Sequence, residues 1–514
     1  MIYLKLFNDH NDYETYITEN PDILPNMSLC TDSNHGHYNS EPDYFQLYLT
    51  ISSLENNNVI SFKAIDSSAT TKTISISTDN GLTWTQKTSS DSGDGTILAT
   101  LNKGEKLLIK GSESAYSTST TNYNLFKSTK KFNIYGNIMS LIFGDNFVSQ
   151  RPLLTAQYTF SYLFKDSLVI NAENLILPVA SLTTACYRDM FYNCSNLQTA
   201  PKLPATTLAT YCYCEMFHSC SSLSTPPDLP ALTLIGYCYN GMFRNSGITR
   251  VPIVSATSLG TGSAQMRYMF YNCQRITQPL QLPYTSLTSY CYESMYTNCS
   301  NLEVAPELPA RHLATYCYQY MFYGCTNLVE APELPATTLL GSCYKQMFKG
   351  CSSLREAPEL PATTLSNSCY LEMFMNCTNL GGHPVMAGKT LASNCCQSMF
   401  QNCTSLTLSP KLVATRLEAN CYNSMFYGCS HLEEAPNLPA TVLVEGCYSN
   451  MFKNCSLITS ISAMFTTTPG PTYTENWVSG VSARGNFIKN ANASWDVSGV
   501  NGIPSGWSIT MGLP

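Results

Sequence analysis

Charge is what this sequence has least of. Asp, Glu, Lys and Arg make up 12% of the chain, about half of the usual share of roughly 25%. The 35 acidic residues outnumber the 28 basic ones, for a net charge of −7. That balance excludes the dense Lys/Arg surface by which nucleic-acid-binding proteins neutralise phosphates. Hydrophobic residues at 44% exclude the composition of a disordered chain. No apolar run approaches the roughly 18–20 residues that a membrane-spanning helix needs. The opening residues, Met1 to His10, lack a basic segment, a long apolar segment and a small-residue cleavage site. No secretory signal is therefore expected. Nor does any pair of carboxylates stand apart as an acid–base couple, so no enzyme is expected.

What the chain has instead is repetition. At 514 residues it is long enough for three or four domains. Met-Phe, once Met-Tyr, recurs eleven times from Met190 to Met451; nine of the ten intervals are 26 residues and one is 27. One unit runs from Cys317 through Met321, Phe322, Cys325, Leu328, Pro332, Leu334 and Pro335 to Leu339. A degenerate unit, Tyr162-Leu163-Phe164 and then Leu168 to Leu182, lacks both cysteines, as a capping repeat does. Periods of 20–29 residues with recurring Leu point to a leucine-rich-repeat solenoid. Cys317, Tyr318, Met321, Phe322 and Cys325 share the spacing of one helical face, so a short helix or 3₁₀ segment is expected there. Leu328 to Leu334 then reads as a short strand closed by Pro335. Parallel rungs stack about 4.8 Å apart, and eleven make a rod on the order of 50 Å long. Columns of Leu (Leu302, Leu328, Leu354; Leu308, Leu334, Leu360) and of Phe (Phe322, Phe348, Phe374) form the expected core.

Of the 23 cysteines, 20 occupy two slots, four residues before and four after each Met; Cys30, Cys214 and Cys396 are off-register. The two vacant slots, Ser246 and Gln265, are consecutive along the chain. Their coincidence suggests that Cys194 lies near Cys212, and Cys220 near Cys238. The rival account is a degenerate stretch around the one extra residue. Zinc is not indicated, because the C-x₇-C spacing is not that of a zinc site. A ladder of buried thiols needs no oxidising compartment and is preferred to a disulfide staircase.

The ends read differently. Residues 43–135 alternate apolar and polar residues and carry turn signals at Asp79-Asn80-Gly81 and Asn102-Lys103-Gly104, which predicts a small antiparallel sandwich. Ser77-Thr-Asp79-Asn-Gly81-Leu-Thr83-Trp84 is similar to the Asp-box hairpin of sialidases; as a single copy it is read as a self-satisfied turn. Residues 1–42 are polar and unperiodic. Cys30, Asp32, His35 and His37 match no metal-site spacing, and a docking segment is expected. Residues 469–514 break the repeat at Pro469-Gly-Pro471 and carry Trp477, Trp495 and Trp507. They are read as a cap on the solenoid, with an aromatic binding tip as the sharper alternative. Between the Leu columns, Glu307, Glu333 and Glu359 fall on consecutive rungs with Glu303, Glu330 and Glu356 beside them. This is a candidate binding face for a cation or basic partner, against the plainer reading of a solvated stripe. The whole is thus mainly β with short helices: a β-sandwich, a solenoid over 136–468 and a terminal module.

The units Cys-Tyr-x-x-Met-Phe-x-x-Cys-x-x-Leu and Ala-Pro-x-Leu-Pro-Ala-Thr-x-Leu resemble the BspA-type leucine-rich repeats of Bacteroidetes over about residues 159–466. Tyr135 to Asn146 looks like the lead-in of such proteins, and Asn476 to Gly480 with Val500 to Trp507 like their C-terminal module. Leu24 to Cys30 and Gly36 to Asn39 are similar to N-termini of proteins from phages of gut Bacteroidetes, including crAss-like phages. Bacterial members are exported adhesins or lipoproteins; a virion protein needs no export signal. The resemblance therefore implies a structural virion appendage, a tail or head fibre or spike. Its partners would be other virion proteins at the N-terminal segment and a host surface glycan or protein at the solenoid. It would be a homo-oligomer without cofactor. The alternative is an exported cell-surface adhesin.

Overall fold

The computed structural model describes residues 43–65 and 71–512. The expected docking segment, with Cys30, Asp32, His35 and His37, lies outside the described residues. Eight strands come first: β1 (Leu49–Ser53), β2 (Asn58–Ile65), β3 (Thr73–Ser77), β4 (Thr85–Thr88), β5 (Thr96–Leu101), β6 (Lys106–Gly111), β7 (Tyr123–Ser128) and β8 (Phe132–Asn137). They form two antiparallel sheets, β4-β3-β6-β1-β8 and β5-β2-β7. Ile60 and Phe62 from one sheet and Leu49, Ile51, Leu107 and Ile109 from the other are fully buried between them. In the β3–β4 connection, residues 78–84, Asn80 and Gly81 both have positive φ, 59° and 90°, a conformation that Asn and Gly tolerate best. Asp79 accepts from the Thr83 N–H at 2.9 Å and the Ser77 hydroxyl at 2.7 Å, and Trp84 Nε1 donates to the Gly81 carbonyl at 3.1 Å. The Asp-box-like motif spends its polar groups on its own turn.

The sandwich passes into the solenoid at β8. There β9 (Val169–Asn171) and β10 (Leu175–Ile176) pair with it in parallel. The main core also runs through: one cluster of buried residues extends from Leu49 to Trp507, with Tyr123, Leu125 and Tyr162 in a small second one. A column of rings starts with Phe62 on Phe126 and runs through Phe164, Phe191, Tyr296 and Phe322 to Trp477, neighbouring centroids lying 4.9–6.1 Å apart. A second column holds buried tyrosines such as Tyr187, Tyr213 and Tyr239. Met266 and Cys396 take the tyrosine slot in two rungs, which accounts for Cys396 being off-register.

The expected helical segment is neither α-helix nor strand. In the rung beginning at Tyr316, the N–H groups of Cys317, Gln319, Met321 and Tyr323 bond three residues back, closing turns within the rung. The alternate N–H groups, of Tyr318, Tyr320, Phe322 and Gly324, donate at 2.9–3.0 Å to Cys343, Lys345, Met347 and Lys349 of the next rung. Each segment is therefore a ribbon of overlapping turns, stitched to its neighbour like a strand. Every fourth residue has positive φ (Tyr316 62°, Tyr320 58°, Gly324 71°), and the same period holds in every rung. A left-handed residue once per turn ends any helix. The third such position is Asn or Gly in all rungs but one, where it is Ser219; these are the residues that tolerate it best. The expected strand at Leu328–Leu334 is reduced to single parallel bridges such as Glu330 to Glu356 and Leu360 to Met386. Pro332 and Pro335 each lack the N–H that a ladder needs. Two-residue strands β11 (Thr233–Leu234) and β12 (Ser258–Leu259) pair in parallel, as do β13 (Ser460–Ala463), β14 (Asn486–Asn490) and β15 (Ser508–Gly512) at the end.

Two expectations need correction. The cysteines do not meet across slots. Each lies beside its own slot in the next rung, Cys186 by Cys212 and Cys194 by Cys220. The vacancies, Ser246 and Gln265, fall in different columns of two successive rungs and imply no pairing. All ten second-slot thiols donate to the carbonyl of the aromatic residue one rung back, at 2.9–3.2 Å (Cys351 to Phe322 at 3.1 Å). The 22 described cysteines are buried and unpaired. The second correction concerns the tip. Trp477, Trp495 and Trp507 are 0%, 4% and 7% exposed. Their indole N–H groups donate to the carbonyls of Gly502, Phe465 and Ser482. They close the core instead of offering rings to a ligand, because the last rung would otherwise leave its aromatic columns open to water.

Candidate binding faces of the solenoid

The acidic stripe is exposed throughout. The structure brings Glu330, Glu333, Glu356 and Glu359 together around a shallow groove of about 640 Å³, floored by Ala331, Leu334, Ala357 and the prolines 335, 358 and 361. Arg355 sits among them. Glu303 and Glu307 continue the stripe one rung back but do not line the groove. Among the described residues, no group of three or more His, Cys, Asp or Glu is arranged to hold a metal ion.

A second face was not anticipated. The turn ribbons bury their Cys, Tyr, Met and Phe columns and turn other columns outward. One of these reads Ala185, Tyr211, Tyr237, Ala264, Tyr290 and Tyr316 in the six rungs nearest the sandwich, then Ser342, Ser368, Asn394, Asn420 and Gly446 in the five beyond; its tyrosines are half-buried, while Ala185, Ala264 and Gly446 are buried. Two neighbouring columns add Tyr192, Tyr268, Tyr271, Tyr320 and Tyr323 to the near half, and Tyr427 alone to the far half. Aligning the repeats exposes this split, but attention to the conserved columns hides it. Six of these tyrosines, 211, 237, 268, 290, 316 and 320, have φ of 56–62°. A bulky residue there costs roughly 1–3 kcal/mol. The far rungs build the same ribbon with Ser, Asn and Gly in the column of Tyr211, and with Gln346, Glu372, Ser and Asn in that of Tyr268, so the fold does not require tyrosine.

The tyrosines stack along the rod, Tyr211 on Tyr237 at 4.5 Å and Tyr290 on Tyr316 at 4.8 Å. Where the column holds alanine, an arginine three residues on covers the next ring: Arg188 lies 5.4 Å from Tyr211, and Arg267 lies 5.2 Å from Tyr290 and 4.6 Å from Tyr268. Both are paired, Arg188 with Asp189 at 3.0 Å and Arg267 with Glu293 at 2.7 Å. Burial, and then the charge of Glu215, pushes the Asp189 carboxyl up to about 6, against the pull of Arg188. Burial likewise raises Glu293, against Arg267. Arg244 differs. Its guanidinium lies 4.7 Å from Tyr271 and 5.3 Å from Tyr268. It makes no ion pair among the described residues, though its charge acts at longer range on the Glu215 carboxylate; its buried Nε, like that of Arg267, has no aligned hydrogen-bond acceptor. Such a ridge offers ring edges, hydroxyls and one planar cation without a contacting carboxylate to a ligand.

No helix of the described residues is long and apolar enough to cross a membrane. A family model, that of the BspA type leucine-rich repeat region, matches in six copies over residues 160–267, 266–407 and 372–469. No curated protein and no solved structure matches the chain.

Proposed function

Since the chain belongs to the BspA-type leucine-rich repeat family, we propose that it is an adhesion-like binding scaffold displayed at a surface, one that holds a ligand without transforming it. The observation that carries this is the contrast within each rung. Cys, Met, Phe and Leu recur on the inside with few exceptions, such as Tyr296 and Met386, while outward positions change from rung to rung. A selected interior with a freely varied exterior is how a repeat scaffold acquires a binding surface. In its finer form the reading is a virion appendage that contacts the host cell. The resemblance of Leu24 to Cys30 and Gly36 to Asn39 to phage proteins supports it. The N-terminal segment then docks to the particle, the sandwich spaces it and the solenoid faces outward, in a homo-oligomer.

The test has two parts. Labelled protein is incubated with intact Bacteroidetes cells, and purified phage particles encoding the chain are analysed by quantitative mass spectrometry. Saturable binding to cells together with stoichiometric copies in particles is the expected result. No binding to cells refutes the scaffold reading. Binding without the chain in particles, and its recovery from a bacterial surface fraction, refutes the virion reading in favour of an exported adhesin.

A further inference from the structure

We propose that the tyrosine–arginine ridge of the six rungs nearest the sandwich binds an acidic polysaccharide, with Arg244 taking its anionic group. The proposal rests on the binding-scaffold reading and names the ligand class. Three observations lead to it. The first is conformational. Tyrosines such as Tyr211, Tyr290 and Tyr316 are held at φ near 60°, where the far half of the solenoid keeps the same backbone with Ser, Asn or Gly. Residues kept in a disfavoured backbone region that the fold does not demand gather where ligands are clamped. The second is Arg244. A guanidinium flanked by Tyr268 and Tyr271, without the close carboxylate that Arg188 and Arg267 have and with Glu215 acting on it only at longer range, is positioned to take an anionic group. Its planar donors match a carboxylate in the two-point manner that Lys does not offer.

The third observation is balance. Arg188 and Arg267 are neutralised by Asp189 and Glu293, so the ridge is not a general polyanion surface. That disfavours a nucleic acid, which offers a charge at every unit. It suits a chain that is mostly hydroxyls and carries an isolated charge. Tyrosine brings an apolar ring and a hydroxyl in one rigid side chain, the combination that a sugar's C–H face and hydroxyl edge require. Rings stacked in two pairs along the rod, Tyr211 on Tyr237 and Tyr290 on Tyr316, give a polymer a repeated contact.

The experiment is calorimetry of the full chain with hyaluronate, polygalacturonate and polysialate. Dextran serves as the neutral probe and a single-stranded DNA oligonucleotide as the phosphate probe. At least one acidic polysaccharide should bind, more tightly than dextran and DNA. Arg244→Gln should weaken it at least tenfold. Tyr290→Ser with Tyr316→Ser, which copies Ser342 and so preserves the fold, should do the same. Glu333→Gln with Glu359→Gln, on the acidic stripe, should leave it unchanged. The inference is overturned if no acidic polysaccharide binds, if Arg244→Gln binds as wild type does, or if DNA binds as tightly. It is also overturned if the tyrosine variant instead dissociates an oligomer, which would make the ridge an interface between copies. Loss of these variants' effect while the wild type still binds cells refutes the ridge alone. Failure of the wild type to bind cells refutes the scaffold reading beneath it.

Discussion

Tyr296 is the one tyrosine in the repeats' phenylalanine column, and its neighbours explain why. Its hydroxyl accepts the Leu280 N–H at 2.8 Å, in a fully buried setting. One rung on, the residue equivalent to Leu280 is Pro306, and the next is Pro332. Proline has no N–H to satisfy, so phenylalanine suffices at Phe322 and Phe348. Where leucine replaces proline, a donor appears in the core and a hydroxyl arrives to meet it. Tyr296→Phe should therefore orphan a buried amide and destabilise by about 1–3 kcal/mol, the desolvation penalty of such a group. The ring stays stacked between Phe270 and Phe322, at 5.5 and 5.8 Å, so packing changes little. Leu280→Pro alone should also destabilise, because it leaves the Tyr296 hydroxyl buried without its donor. The pair together recreates the neighbouring rungs. A Pro-Pro sequence already exists at the matching positions, Pro226-Pro227, so the backbone accepts it. The double variant should lie within about 1 kcal/mol of wild type, a strong positive coupling for contacting residues. Urea denaturation of the four proteins measures the cycle, and hydrogen exchange at Leu280 reports the amide directly. If Tyr296→Phe is neutral, or the double variant is as unstable as the sum of the singles, the account of this column is wrong.

Two further outcomes follow from the same core. Burial pushes the thiols of Cys194, Cys212 and Cys377 up to about 12, whereas unfolded thiols ionise near pH ~8.5. A folded pKa above the unfolded one gives stability that is intact below pH ~8.5 and lost as pH rises toward 12, at about 1.4 kcal/mol per pH unit for each thiol. Native protein should resist alkylation at neutral pH, react fully in denaturant, and lose its denaturation midpoint steeply above pH ~9; rapid native alkylation would contradict the thiol columns. Trp477→Ala should destabilise by about 3–5 kcal/mol, because the ring is fully buried at the end of both aromatic columns; an unchanged melting curve would restore the exposed-tip reading.

The period, the buried columns and the hairpin turns were legible because each is a local pattern repeated until chance is excluded. Phe322 recurs every 26 residues and is core in every rung that carries it. The ribbon was misread as helical because Cys317, Met321 and Phe322 have a helix's spacing while their N–H groups alternate between two rungs. The signal of a broken helix is the Asn or Gly just before every second-slot cysteine except Cys220, which follows Ser219. Pairing Cys194 with Cys212 failed for a related reason. Sequence separation does not tell which neighbour a side chain faces when a coil returns on itself.

The sequence by itself determined that the chain is a leucine-rich-repeat solenoid behind a β-rich head, because repetition and binary patterning are one-dimensional facts. Only the tertiary structure decided what the outward columns become. The tyrosines are far apart along the chain and meet only because rungs stack. Arg267 is paired only because the next rung brings Glu293 to it, and the same stacking gives Arg244 no such contact. The three tryptophans are buried only because β13, β14 and β15 fold over the last rung. A binding surface is a property of which side chains share a neighbourhood, and in a solenoid that is set by the stack.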